Sequence, residues 1–168
     1  MLRTDHLLLV PAQIIHLESL IDAHSAFDGL YSSVADGYLE FPGALEAALE
    51  QLKSGATRPE WASHLFIHPA DDRLIGLGGY HSVPSASGVV EFGYGIAPAY
   101  RGNGYATEAA QALIDHAFDD ASVNIVIAHT LARSSPSTRV LIKSGLLPVT
   151  ELHDPEVGPI WRWEIRRP

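Results

Sequence analysis

Apolar positions recur along the chain at helical spacing in four segments. The clearest lies in Ala106 to Phe118, where small and apolar residues occupy every third or fourth position. A shorter repeat follows Pro11, and another falls in Gly43 to Lys53. The fourth helix is predicted to begin at Ser135-Pro136 and to end at Gly145, because serine caps helix N-termini and glycine ends helices.

Seven further segments have the composition or alternation of β-strands. Turn-forming sequences separate three of them, which favours antiparallel neighbours, and one is apolar almost throughout, as in a strand covered on both faces. The seven are Thr4 to Val10, His64 to His68, Leu74 to His81, Val89 to Ile96, Val123 to His129, Leu147 to His153 and Ile160 to Arg166. Residues Phe27 to Pro42 are predicted to be irregular. The order β-α-α-β-β-β-α-β-α-β-β indicates an α/β (α+β) protein.

Composition narrows the class of protein. The 168 residues, 46% of them hydrophobic, predict a single domain over residues 1–168 with a substantial core. The chain has no cysteine, which excludes disulfides, thiolate metal ligands and a cysteine nucleophile. The apolar run Leu7 to Pro11 is too short for a signal or a membrane span, so we expect a soluble, cytoplasmic protein with no membrane partner. A net charge of -9 argues against nucleic-acid binding.

The sequence Arg-Gly-Asn-Gly-Tyr-Ala at Arg101 to Ala106 joins a predicted strand to the clearest helix. Free N–H groups at a helix start bind phosphate where the backbone can approach closely, and Gly102 and Gly104 allow that approach. An isolated Gly-x-Gly is more often a plain turn. A P-loop would need Gly-Lys-Ser/Thr, and a dinucleotide fold would need this loop after the first strand. Its place after an antiparallel run favours a cradle for a coenzyme pyrophosphate, with Arg101 as a nearby positive charge.

This segment resembles the Gln/Arg-x-x-Gly-x-Gly/Ala motif of the GNAT superfamily of acyl-CoA N-acyltransferases. Residues Val90 to Tyr100 before it and Ser137 to Leu146 after it are similar to the ribosomal-protein alanine N-acetyltransferase branch, so the likeness covers roughly Val89 to Leu147. The resemblance implies a GNAT fold, with a mixed, mostly antiparallel central sheet of about seven strands and helices on both faces.

The resemblance also implies where acetyl-CoA binds as cosubstrate. The strand ending at Ile96 would splay from its parallel neighbour and open a V-shaped slot for the pantetheine. Ser134 stands where the family's second helix often begins with Asn, so a contact from there would be shorter and weaker. The irregular region Phe27 to Pro42 would roof the acceptor pocket. The expected coenzyme-binding residues are Ile96, Ala97, Arg101, Gly102, Asn103, Gly104, Tyr105, Ala106 and Ser134.

Acetylation of an amine needs a neutral nucleophile, whereas an alkylammonium has a pKa near ~10.4, so a base or a water relay must remove its proton. Strand alternation puts Glu91 on the same face as Gly93 and Gly95, where it serves either as that base or as a solvated strand residue. Glu156 is the rival, because the ribosomal-type branch can present a carboxylate from the final hairpin loop; a plain surface position is the alternative. Solvent is the third possibility.

The general acid is also open. Many family members carry a tyrosine that protonates the leaving thiolate, and the matching position here is Leu141. Ser137 stands where the ribosomal-type branch offers a hydroxyl to the sulfur, although capping of the helix explains a serine equally well. The leading prediction is an N-acetyltransferase that transfers acetyl from acetyl-CoA directly to a primary amine, on a protein or peptide N-terminus or on a small molecule. The alternative, motivated by the missing tyrosine, is a non-catalytic acyl-CoA-binding domain for sensing or interaction.

Two further expectations concern metals and assembly. His64 and His68 stand four residues apart, which suits a metal on a helix but not on a strand, so we predict no metal and expect these histidines to be scattered or at the surface. Trp161-Arg162-Trp163 lies in a predicted edge strand and suggests a homodimer.

Overall fold

A computed structural model describes residues 1–24, 26–39, 41 and 43–168. Its helices are α1 (Ile14–Ile21), α2 (Ala44–Lys53), α3 (Tyr105–Asp119) and α4 (Pro136–Lys143). Its strands are β1 (Leu2–Arg3), β2 (Leu8–Pro11), β3 (Ser33–Val34), β4 (Ser63–His68), β5 (Arg73–Tyr80), β6 (Val89–Ile96), β7 (Ile125–Leu131), β8 (Leu147–Asp154) and β9 (Gly158–Arg166). Short 3-10 turns occupy Pro59–Trp61 and Pro98–Tyr100.

The strands form one mixed sheet in the order β1-β2-β4-β5-β6-β7-β9-β8, with β3 paired to the start of β5. The pairs β6–β7 and β3–β5 are parallel, and the other pairs are antiparallel. The predicted class is confirmed, but the described residues form a sheet of nine strands rather than about seven. The two additional strands, β1 and β3, have two residues each, which is too short to produce a recognisable sequence pattern.

Two predicted boundaries were wrong near the N-terminus. Pro11 does not open a helix: it ends β2, opposite His64, and α1 begins at Ile14 after the cap residue Gln13. Proline is tolerated there because an edge position of a strand needs no N–H. The region Phe27 to Pro42 is not wholly irregular, since it contains β3; its residues Glu40 and Pro42 lie outside the described part of the chain.

Helices cover both faces of the sheet because strand residues alternate between them. Leu65 of β4 and Leu77 of β5 pack with α1 and α2 on one face. Val90 and Phe92 of β6 pack with α3 and α4 on the other, in a cluster that includes the fully buried Leu113 of α3. Glu91, Gly93 and Gly95 alternate with these residues along β6, so they face the α1–α2 side of the sheet.

The premise for a homodimer was wrong. Trp161-Arg162-Trp163 belongs to β9, which lies inside the sheet between β7 and β8. The outer strand at this end is β8, where Leu147 and Val149 are exposed. A homodimer remains a prediction without that support.

A polar cluster is buried beneath α3. His64 is completely buried, not at the surface as expected, and its Nδ1 lies 3.2 Å from the Ala62 carbonyl oxygen. The hydroxyl of Tyr80 donates to the Leu113 carbonyl at 2.6 Å and lies 2.8 Å from His116 Nδ1. Burial lowers the pKa of His64 to about 4 and also lowers the pKa of His116. These residues form the interior cluster.

Candidate active site

The sheet opens between its two central parallel strands. β6 and β7 pair at three positions, the last joining Glu91 to Ile127, although both strands continue beyond it. Past that point each strand follows its antiparallel partner instead: Ile96 of β6 pairs with β5, and Leu131 of β7 pairs with β9. The backbone of residues 92–96 therefore has an edge that faces the opening. The predicted V-shaped slot is present, with its vertex at Glu91.

The glycine segment lies where β6 leads into α3. Gly102 and Gly104 have φ of +83° and +88°, a left-handed conformation that side chains disfavour. A Cβ built on either glycine meets no atom within 4 Å, so the space above the backbone is open. The first intrahelical bond runs from the Glu108 N–H to the Gly104 carbonyl at 3.0 Å. The helix does not use the N–H groups before Glu108, so they are suited to bind an anion.

Side chains brace this loop from within the protein. Arg101 Nε donates to the Ile96 carbonyl at 2.8 Å, and Asn103 Nδ2 donates to the Tyr100 carbonyl at 3.2 Å. Tyr105, the first residue of α3, places its hydroxyl 3.1 Å from His68 Nε2. Arg101 thus holds the strand end as well as supplying charge. Ala106 follows Tyr105 in the first turn and is half-buried.

Two expected pantetheine contacts are already engaged. The Ala97 N–H donates to the Ile75 carbonyl at 2.8 Å, and its carbonyl accepts from the Tyr100 N–H at 2.9 Å. The Ile96 carbonyl accepts from Arg101. The strand edge at residues 92–96, which faces the opening, therefore offers a better backbone partner for a ligand amide than Ala97 does.

The start of α4 borders the opening from the other side. Ser135 caps the helix reciprocally with Thr138, as predicted, while Ser134 and Ser137 are exposed. The hydroxyl of Tyr94 crosses from β6 and donates to the Ser137 carbonyl at 3.2 Å. Leu141, at the position of the family's acid tyrosine, is buried in the core cluster and has no acidic group.

Three titratable side chains meet at the vertex. Glu91 Oε1 lies 2.8 Å from His129 Nδ1 on β7 and 3.3 Å from His81 Nδ1, just after β5. Glu91 and His129 keep 28% and 23% of their side-chain surface exposed, and His81 keeps 61%, so solvent and ligands can reach the group. We call these residues the vertex triad.

The vertex triad has a defined electrostatic character. Burial acts to raise the pKa of Glu91, but hydrogen bonds from His81 and His129 outweigh it and lower that pKa to about 2. The same contact raises the pKa of His81, against the opposing effect of burial. Glu91 is thus a fixed anion, and a carboxylate of such low pKa is a weak proton acceptor near neutral pH.

The rival carboxylate lies elsewhere. Glu156 is exposed in the turn between β8 and β9, where its N–H donates to Asp154 Oδ1 at 2.9 Å. Leu131, the last residue of β7, pairs with Ile160 just after this turn, so Glu156 belongs to the far end of β7 from the vertex. The structure brings Glu91 together with two histidines and does not bring Glu156 to them.

Sequence reasoning missed His81, His129 and Tyr94. Strand alternation could have pointed to His129. It lies two residues after Ile127, the residue that pairs with Glu91, so it faces the same side of the sheet as Glu91. That signal is useful only once the register between β6 and β7 is known. His81 follows its strand, so periodicity does not apply to it.

Two features are absent from the part of the chain that the structure describes, a metal-binding cluster and a membrane-spanning helix. The described residues contain no group of three or more His, Cys, Asp or Glu residues arranged to hold a metal ion. Among the same residues, no helix has both the length and the apolar character needed to span a membrane.

The comparisons with known proteins agree on one family. The profile of the acetyltransferase (GNAT) domain matches residues 6–147. An uncharacterized N-acetyltransferase, p20, from Bacillus licheniformis is 33% identical over 81 residues, which are 45% of this chain and 46% of p20, so the match spans under half of that relative.

Solved structures share the fold over nearly the whole chain. A GNAT-family acetyltransferase from Bacillus anthracis has a TM-score of 0.68 at 20% identity and covers 98% of this chain and 97% of its own. A ribosomal L7/L12 alpha-N-protein acetyltransferase in complex with coenzyme A has a TM-score of 0.70 at 12% identity, covering 97% and 95%.

Proposed function

Because this chain belongs to the GNAT acetyltransferase family, we propose that it binds acetyl-CoA and transfers the acetyl group directly to a primary amine. The observation that carries the proposal is the opening between β6 and β7, which leads from the vertex triad toward the open glycine loop. The acceptor amine belongs to a protein or peptide N-terminus or to a small molecule.

The coenzyme end of the site is the stronger part of the proposal. We assign the pyrophosphate to the N–H groups of Gly102 to Ala106, because the helix leaves them unused and the space at the Cβ positions of Gly102 and Gly104 is open. The pantetheine would lie along the edge of β6 that faces the opening, where the strand backbone offers partners for its amides. Arg101 contributes positive charge from its place beside the Ile96 carbonyl. Ser134, at the exposed approach to α4, is the outer limit of this surface.

Acyl transfer needs no covalent enzyme intermediate here. Holding amine and thioester side by side supplies much of the rate, and backbone N–H groups of the open β6 edge can polarise the thioester carbonyl. Ser137 borders the opening, where its carbonyl accepts from the Tyr94 hydroxyl, and its own exposed hydroxyl can be offered to the leaving thiolate. The geometry favours Glu91 over Glu156 as the carboxylate that lies near the attacking amine.

Substitution of Gly104 tests the coenzyme assignment. Gly104→Val would fill the open space above the loop, so acetyl-CoA affinity measured by calorimetry should fall at least ~100-fold. Gly55→Val is the matched control, because Gly55 also has a positive φ (+73°) and nothing within 4 Å of a built Cβ, yet it follows α2. Both variants carry the same kind of backbone strain. Equal affinity of the two variants, at comparable melting temperatures, would contradict the assignment.

Catalysis is tested by thiol release from acetyl-CoA with a panel of peptides and small amines. We expect at least one amine to raise thiol release well above hydrolysis, with an acetylated product identified by mass. The competing function is a sensing or interaction domain that binds acyl-CoA without turnover. Tight binding of acetyl-CoA with only background hydrolysis across the panel would favour that alternative.

A further inference from the structure

The vertex triad combines an anion and two imidazoles at the point where the central strands part. Glu91 on β6 and His129 on β7 flank the opening, and His81 lies on the other side of Glu91, next to β5. We propose that His129 accepts the proton of the attacking amine through its Nε2 atom, and that Glu91 is a positioning residue which fixes the imidazole of His129. This inference rests on the proposed acetyl transfer.

The contact geometry determines which nitrogen of His129 is free. The Nδ1 atoms of His81 and His129 both approach the same oxygen, Glu91 Oε1, at 3.3 Å and 2.8 Å. An ionised carboxylate only accepts hydrogen bonds, so each Nδ1 must carry the hydrogen. In a neutral imidazole held this way, the lone pair is on Nε2. Glu91 therefore orients a ring whose basic nitrogen points away from the carboxylate.

The roles of the three residues follow from their surroundings. Glu91 has a pKa of about 2 and cannot hold a proton near neutral pH. His81 has a raised pKa, because it contacts Glu91, and it lies behind Glu91 relative to the opening. The position of His81 on the β5 side of Glu91 places it away from the opening, which leaves His129 as the acceptor beside the slot.

Among the described residues, Arg162 and Gln51 border the vertex triad on this face, and each is neutral or already paired. Arg162 is the cross-strand neighbour of His129 on β9, but its guanidinium binds Glu164 at 2.9 Å. Glu164 also accepts from Arg166 at 3.2 Å. From α2, the neutral Gln51 reaches the His81 carbonyl at 3.4 Å. The anion in contact with His129 is Glu91.

There is also room for an acceptor above the vertex triad. Gly93 follows Glu91 on the same face, and a Cβ built there would meet only His81 Nε2, at 3.4 Å. A side chain at that position would occupy the approach to the opening. The absence of one leaves Glu91 and His129 accessible from the α1–α2 side.

The chemical step balances with His129, the two substrates and solvent. The amine nitrogen attacks the thioester carbonyl carbon, and a C–N bond forms. The C–S bond breaks, and its electron pair leaves on the coenzyme sulfur, which takes a proton from solvent. The proton lost by nitrogen goes to His129 Nε2 and from there to solvent through the exposed edge of the ring.

Asparagine variants separate this role from a structural one. The side-chain amide of asparagine can replace the Nδ1–H donor to Glu91 but cannot accept a proton at neutral pH. His129→Asn should lower kcat about 100-fold or more, remove the acidic limb of the pH–rate profile and leave the KM for acetyl-CoA nearly unchanged. His24→Asn, at an exposed histidine outside the vertex triad, is the matched control and should keep that limb and the rate of the unsubstituted protein.

The positioning role of Glu91 has a readout that needs no turnover. The nitrogen-15 shifts of His129 in the ligand-free protein should report the Nδ1–H tautomer, and Glu91→Ala should return the ring to the Nε2–H form that prevails in water. An Nε2–H tautomer in the unsubstituted protein would overturn the inference, because the proposed acceptor atom would then carry a hydrogen.

The outcomes distinguish this inference from the proposed function. If the unsubstituted protein acetylates an amine but His129→Asn keeps the acidic limb and at least a third of kcat, the inference fails and the function stands. If no amine is acetylated, the function fails, and the proton-acceptor role fails with it whatever tautomer is observed.

Discussion

Tyr80 and His81 are neighbours in the chain but belong to clusters of opposite character. Tyr80 is part of the interior cluster with His64 and His116, where burial lowers the pKa of the histidines. His81 is part of the vertex triad, where a carboxylate raises its pKa. Burial favours neutral histidines in the interior cluster, whereas at the opening a histidine has a charged partner. Strand alternation and the partner that each face supplies, not the residue itself, decide which outcome occurs.

The largest expected effect concerns the pH dependence of stability through His64. Its pKa is about 4 in the folded state and 6.5 in the unfolded state, so unfolding binds a proton between these values. The stabilisation is complete above about pH 6.5, and roughly 3 kcal/mol of it is lost as the pH falls to about 4. His64→Asn keeps a donor for the Ala62 carbonyl but cannot take up that proton, so its stability should change less over this window.

Urea denaturation at several pH values between about 4 and 7.5 measures this difference. His24→Asn is a suitable control, because His24 is an exposed histidine outside both clusters. Parallel stability curves for the unsubstituted protein and His64→Asn would show that the interior cluster does not resist protonation.

A smaller effect is expected when the interior cluster loses its central hydroxyl. Tyr80→Phe removes the donor to the Leu113 carbonyl and the partner of His116 Nδ1, and it should cost about 1–2 kcal/mol of unfolding free energy. Acetyl transfer should be unchanged, since the hydroxyl lies on the α3 side of the sheet. A variant of normal stability and reduced kcat would break the division between the two clusters.

The smallest effect is expected from His81. Its pKa is raised in the folded state, so its contribution to stability is present in full below about pH 6.5 and disappears as the pH rises through the folded-state value. The ring is 61% exposed, so solvent screening keeps that contribution below about 0.5 kcal/mol. Melting curves of His81→Asn should therefore differ slightly from the unsubstituted protein near pH 5–6 and coincide near pH 8. A loss of several kcal/mol would mean that the vertex triad is mainly structural.

The local structure of the glycine loop was the part of the candidate site best predicted from sequence. Left-handed backbone at Gly102 and Gly104, a helix beginning at Tyr105 and the reciprocal cap at Ser135 are local features, and local residue chemistry specifies them. The face of β6 that carries Glu91 was also predicted, because alternation within one strand is a local property.

The partners of Glu91 could not be predicted in the same way. His81 lies ten residues away along the chain and His129 thirty-eight, and their meeting depends on where β6 pairs with β5 and β7. The burial of His64 was equally out of reach, because β4 is covered on both faces and its sequence does not alternate.

The sequence by itself determined the order of the four helices and the seven longer strands, the family and the place of the glycine turn before α3, because spacing, capping and turn chemistry act over a few residues. The tertiary structure alone decided that β9 is an inner strand, that His64 is buried and that Glu91 stands between two histidines. The physical reason is that register and burial arise from contacts between distant segments, and these contacts set the dielectric surroundings and the charged neighbours of each side chain.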